Sequence, residues 1–171
     1  SDEGGEDSVG DSGDSLEGLS GFDYRIHEDI ESLVYVSWTS DDGGTGYVEY
    51  SFDTDEWLQS PETAFEAGES EQLLLGIPYE ESFTWRVVLT TDEGTLTSED
   101  QEAETGDLPD LPEPTILISD ADLYEPSGKY LMGSINGRNG GWVGGNYWKF
   151  IMDRQGRVVW ALLTPEQHWS I

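Results

Sequence analysis

From residue 30 onward, apolar side chains recur at every second position in short runs bounded by Gly, Asp and Pro, and no helical spacing persists. Successive side chains of a strand leave opposite faces, so a period of two marks a strand with one buried face. Residues 32–39 (SLVYVSWT) set Val34, Val36 and Trp38 against Leu33, Tyr35 and Ser37. Residues 47–52 place Val48, Tyr50 and Phe52 on one face, and 41–46 (DDGGTG) supply the turn before them. Another run, 70–77 (SEQLLLGI), reads as a strand. Residues 83–91 set Phe83, Trp85, Val87 and Leu89 against Thr84, Arg86, Val88 and Thr90, and Asp92-Glu93-Gly94 turns the chain into 95–98. The expected class is all-β. Several short strands with such turns indicate a sandwich over 23–106.

The segment before it is of another kind. Its first twenty residues hold only Val9, Leu16 and Leu19 as apolar side chains, among Ser, Gly, Asp and Glu. Such a stretch buries too little surface to offset its ordering entropy, so 1–22 is expected to be a disordered acidic linker. Acidity continues downstream: the formal charge is −30, with only seven basic residues, and those scattered. Phosphate binding needs clustered Lys and Arg, so no nucleic-acid partner is expected, and an anionic membrane surface is disfavoured for the same reason. There is no cysteine, hence no disulfide and no Cys-based zinc site. No stretch is long and apolar enough to span a bilayer. A flexible acidic tether ahead of a β-rich domain suits an exported protein, extracellular or periplasmic, held off a surface.

Residues 107–114 (DLPDLPEP) carry three prolines in eight positions and are expected to form a stiff, extended, poorly packed connector. Beyond it the pattern changes. Residues 115–119 (TILIS) read as a strand, 124–128 (YEPSG) as a loop, 129–135 (KYLMGSI) as a second strand and 136–146 as a glycine-rich loop. Residues 147–152, the turn Asp153-Arg154-Gln155-Gly156 and residues 157–163 complete a hairpin. Four antiparallel strands in so short a span describe one propeller blade over 115–171.

Two family resemblances follow. Trp38, the YVEYSF strand and LLLGIPYEESFTWRVV make 23–106 resemble a fibronectin type III domain. The segment departs from that pattern at Pro78, one residue nearer the preceding apolar residue, and at Phe83, where the family places a corner tyrosine. Ile116–Ser119, Tyr147-Trp148, Asp153, Gly156 and Val158-Val159-Trp160 make the last third resemble the opening blade of arylsulfotransferase-type β-propeller proteins. That resemblance implies the N-terminal portion of a longer exported protein, with the remaining blades as partners and catalytic histidines in those later blades. One blade cannot cover both faces of its own sheet. In the competing arrangement, 115–171 packs on the sandwich as an added sheet, with Trp142, Trp148, Trp160 and Trp169 at the contact. A non-catalytic surface binding module is the alternative function.

No residue is assigned to catalysis, cofactor binding or metal ligation. The loop at 137–145 lacks the following helix and the G-K-[ST] of a phosphate loop, although Arg138 and Trp142 could touch a ligand. His27 reads as a surface residue, and His168 as a surface or interblade histidine. Among the acidic pairs, Asp41-Asp42, Glu99-Asp100 and Asp120-x-Asp122, none has calcium-loop spacing. Asp120 and Asp122 are the pair that could share a calcium ion with backbone carbonyls, but solvated loop carboxylates are the preferred reading. The preferred account of the acidity is likewise a hydrated, soluble surface. The melting temperature of residues 22–106 is then expected to show no steep rise from low to molar KCl. A steep rise would mark adaptation to high salt instead.

Overall fold

Alternating apolar faces are useful to a strand only when a second sheet meets them. The computed structural model of the protein describes residues 18–53, 56–111, 120, 128–136 and 147–164. Every regular element among them is a strand, and every pairing is antiparallel. An N-terminal body comprises β1 (Leu19–Ile26), β2 (Val34–Ser40), β3 (Gly44–Ser51), β4 (Leu58–Gln59), β5 (Thr63–Phe65), β6 (Gly68–Leu74), β7 (Ser82–Thr91), β8 (Gly94–Thr97) and β9 (Gln101–Glu104). A separate C-terminal sheet comprises β10 (Tyr130–Asn136), β11 (Tyr147–Asp153) and β12 (Val158–Thr164). No helix among the described residues is long and apolar enough to cross a membrane.

The body has two sheets, ordered β1-β2-β6 and β4-β3-β7-β8, with β5 paired to β3 and β9 to β7. The faces read from the sequence meet in one core. Val34, Val36 and Trp38 of β2 pack with Val48 and Tyr50 of β3 and with Phe83, Trp85, Val87 and Leu89 of β7. The Trp38 ring stands edge-on to Phe65 at 4.9 Å, and Phe22 stands edge-on to Trp85 at 6.1 Å. Each large apolar side chain removed from water here contributes roughly 1.5–3 kcal/mol.

Four elements depart from the expectation. Leu19, assigned to the acidic linker by composition, opens β1 and is 1% exposed. An extra residue between Ser20 and Asp23 shifts the register with β2, and Gly21 sits there at φ 63°. That bulge breaks the period-two signal and hides the strand. The linker's remaining residues, 1–17, lie outside those described. β4 and β5 are two and three residues long, too short to carry a period, and β9 (QEAE) buries only Ala103. The turn at 41–46 is also shorter than expected, because Gly44 already belongs to β3.

In the C-terminal sheet, β10 pairs with β11 and β11 with β12, as the hairpin reading requires. Trp160 pairs with Ile151 and Val158 with Met152, so Val159 is the extra residue of a bulge in β12. The strand expected at 115–119 and the glycine-rich loop from 137 lie outside the described residues.

Gly46 lies close against β7: a Cβ there would collide with the Val88 carbonyl oxygen, which the sheet holds in place. Gly46→Ala is expected to cost about 1–3 kcal/mol, as an overpacked core position does. A lowered midpoint of urea unfolding with an unchanged m-value would register this.

Candidate interaction surface

Residues 75–81 join β6 to β7 and carry the contact between body and C-terminal sheet. The Tyr79 N–H donates to the Val158 carbonyl at 3.1 Å, and the Tyr79 hydroxyl accepts from the Ala161 N–H at 3.2 Å. Part of the β12 edge is thereby satisfied by the body. Leu111, Phe150, Val158 and Ala161 pack around Tyr79, flanked by Ile30, Leu108, Trp148 and Met152. Burial pushes the Tyr79 phenol above its ordinary pKa, so it stays neutral. Within the connector expected to be poorly packed, Leu111 is buried at 5% exposure, while Asp107 and Asp110 are exposed. Its leucines, spaced between prolines, fill the gap between Tyr79 and β12; residues 112–114 lie outside the described part.

A second contact lies on the other face of the C-terminal sheet. The Tyr130 hydroxyl sits over Gly76, which has φ +83° and no room for a Cβ. Close by, the Tyr50 hydroxyl donates to the Leu75 carbonyl at 2.8 Å. Burial, and secondarily Tyr130, push the Tyr50 phenol up to about 12. With Leu73, Ile151 and Trp160 these residues line a mostly apolar cleft of about 520 Å³ between the body and the sheet.

The junction is closed by charge. Asp153 holds its own turn: Oδ1 accepts from the N–H groups of Gln155 and Arg157, each at 2.9 Å. Its Oδ2 accepts from Arg157 Nε at 2.8 Å. The same guanidinium reaches the body, where Nη1 donates to Asp53 Oδ2 and, at 3.3 Å, to Glu81 Oε2. It lies 5.6 Å from the Phe52 ring centroid. Burial opposes the Arg157 charge, but the hydrogen bond it donates to Asp153 and the charges of Asp153 and Asp53 outweigh it and hold the pKa above its ordinary value. Glu81 moves the other way for a carboxylate: burial first, then Asp53, raise its pKa, Arg157 opposes them, and Asp153 adds to the rise.

Cross-strand partners share a face, so the two faces of the C-terminal sheet follow from its register. One carries Leu131, Ile135, Trp148, Phe150, Ala161 and Leu163; the other carries Tyr130, Met132, Tyr147, Ile151, Trp160 and Leu162. The body covers the part of each face nearest Tyr79 and Gly76. On β10, which the body does not reach as far, Leu131 is 52% and Met132 83% exposed, and Ile135, Tyr147, Leu162 and Leu163 are exposed too. An exposed apolar patch of this kind marks an interaction surface. Of the tryptophans expected at a body contact, Trp148 flanks the Tyr79 cluster and Trp160 lines the cleft, while Trp142 and Trp169 lie outside the described residues.

The structure gives the sequence candidates local roles. His27 Nδ1 accepts from the N–H groups of Asp29 at 3.1 Å and Ile30 at 3.3 Å, and its ring stacks on Tyr35, so it shapes a turn. Phe83 occupies the core at 3% exposure. The nearby hydroxyl that does bond is Tyr79, and it reaches the C-terminal sheet instead of its own. Asp100 lies 3.7 Å from Arg86, and the Asp42 carbonyl accepts from Ser40. Asp120 is exposed; its expected partner Asp122, with Arg138 and His168, lies outside the described residues. Sequence reasoning did not find Tyr79, Glu81 or Arg157 as junction residues, because their partners stand 76 to 104 positions away. No protein-family model matches the chain, and no curated protein matches it significantly.

Replacing Tyr79 by Phe would leave the buried Ala161 N–H unpaired. The expected loss is about 1–3 kcal/mol, read from chemical denaturation, with faster amide exchange at Ala161 than at core amides such as Val48.

Proposed function

We propose that this chain is the N-terminal portion of an exported arylsulfotransferase-like propeller protein. The body serves as a fibronectin type III-like docking and spacer module, and the C-terminal sheet serves as the first blade. The acidic linker tethers the assembly to a surface. The observation that carries the reading is the apolar surface left on both faces of the C-terminal sheet, at Leu131, Met132, Leu162 and Leu163. A blade inside a propeller meets a neighbour on each face, and an isolated one leaves such residues in water. The sandwich reading is supported by the strand order, three strands facing a sheet built on β4-β3-β7-β8 across one core. The resemblance implies sulfuryl transfer through a histidine nucleophile in later blades. This chain contributes no catalytic residue and is expected to be inactive alone.

The test is the coding sequence beyond Ile171 together with the activity of the protein it encodes. The expected continuation has further W-x-x-[FI]-x-D-x-x-G-x-V-x-W repeats with His and Arg at inward positions, and the protein transfers sulfuryl groups from an aryl sulfate to a phenol. Repeats without those residues, and no transfer, would favour a non-catalytic binding module. A reading frame that closes at Ile171 would overturn both readings. The docking part is separately measurable. Leu131→Lys should change the stability of the 171-residue chain by less than about 0.5 kcal/mol, as an exposed site does, and should destabilise the longer protein clearly more.

A further inference from the structure

We propose that the cleft between the body and the C-terminal sheet binds a small, uncharged, ring-bearing molecule that touches both at once. The cleft holds about 520 Å³, within the range of drug-sized ligand sites, and it lies where two packed units meet, a common place for such sites. Leu33 and Leu75 of the body and Ile151 of the sheet supply aliphatic walls, and the rings of Tyr50, Tyr130 and Trp160 line the same space. Sliding the sheet inward would bury these walls against one another, but the directional contacts oppose it. The two Tyr79 hydrogen bonds fix β12 on one side, and Tyr130 over Gly76 props the other. The walls are thus held apart, and an apolar space that cannot collapse takes up an apolar guest. The site needs no later blade, since body and sheet supply both walls.

Charge decides the class of guest. The chain carries a formal charge of −30, yet among the described residues no charged side chain lines the cleft. An anion would be repelled by the chain as a whole and would find no cation inside. A cation would lose its water with no carboxylate to replace it. A neutral guest remains, stacked on or edge-on to the three rings. The polar groups fix one further property. Ser60 Oγ already accepts from the Val48 N–H, and the Tyr50 hydroxyl has given its proton to the Leu75 carbonyl. The Tyr50 oxygen can therefore only accept, and the nearby Tyr130 hydroxyl has no hydrogen-bond partner among the described residues. The guest accordingly carries one N–H or O–H donor on an otherwise apolar ring system.

N-phenyl-1-naphthylamine has that form and brightens in apolar surroundings. 1-Anilinonaphthalene-8-sulfonate is the same skeleton with a negative charge. Titrated into the 171-residue chain, the neutral probe should saturate at one equivalent. The sulfonate should bind at least about tenfold more weakly. Leu75→Asp puts a charge at the cleft, at a residue 53% exposed and so tolerant of the change, and should weaken the neutral probe by about tenfold or more. Leu163→Asp, on the opposite face of the sheet, should bind the probe as the native chain does. In the native chain, nuclear Overhauser contacts from the probe should reach both Leu33 and Ile151. Contacts to only one of them overturn the proposal, as do equal binding of the sulfonate and the absence of saturable binding. A Leu163→Asp effect as large as that of Leu75→Asp overturns it too. The coding sequence beyond Ile171 bears on none of these outcomes, so this proposal and the propeller reading fail separately.

Discussion

A three-stranded sheet with two apolar faces cannot be left in water, and the C-terminal sheet of this chain has two. The body meets that constraint in part. The 75–81 loop slots against the β12 edge, with Tyr79 and Leu111 covering one face and Leu75 and Gly76 approaching the other. Coverage is uneven: β10 stays exposed along its length, at Tyr130, Leu131, Met132 and Ile135, and so do Tyr147, Leu162 and Leu163 at the far end of β11 and β12. The two arrangements weighed from sequence, a blade awaiting neighbours and a sheet added to the body, are therefore compatible. The sheet is docked through β12 and the turn at Asp153, and open along β10 and at the far end of β11 and β12.

Docking of this kind needs both area and direction. Leu111, Phe150, Val158 and Ala161 supply area, which is non-directional and would tolerate sliding. Direction comes from the two Tyr79 hydrogen bonds and from Gly76, whose missing side chain makes room for Tyr130. The bulge at Val159 matters here. It turns Val158 toward Tyr79 while Val159 lines the cleft, so adjacent residues of one strand serve both contacts.

How much of this could be read from sequence depends on the range over which the cause acts. β2, β3, β7, β11 and β12 were legible because each buries a face and the period-two pattern is local. β1 was not, since the bulge at Gly21 breaks its period and its neighbours are acidic. β4, β5 and β9 are short pieces stabilised by pairing with β3 and β7, and their own residues carry almost no signal. The Asp153 turn was visible as a motif. What the motif holds in place was not, because Asp53 and Glu81 become neighbours of Arg157 only after the body has folded.

Charge composition explains why that cluster has its form. With thirty-seven acids and seven bases, most carboxylates have no cation to pair with. Three arginines are nevertheless placed alike, each on an aromatic ring and against carboxylate. Arg25 lies over Tyr35 with Glu71, Arg86 over Trp57 with Glu49, and Arg157 beside Phe52 with its three acids. The first pair is well exposed, and solvent leaves such pairs worth little. Arg157 differs because one of its acids, Asp153, is only 11% exposed at the side chain and its other two partners belong to the body. Removing this cation would leave three like charges facing one another in a half-buried space. The guanidinium thus adds a charged tie to the directional contacts that Tyr79 and Gly76 already make across the junction.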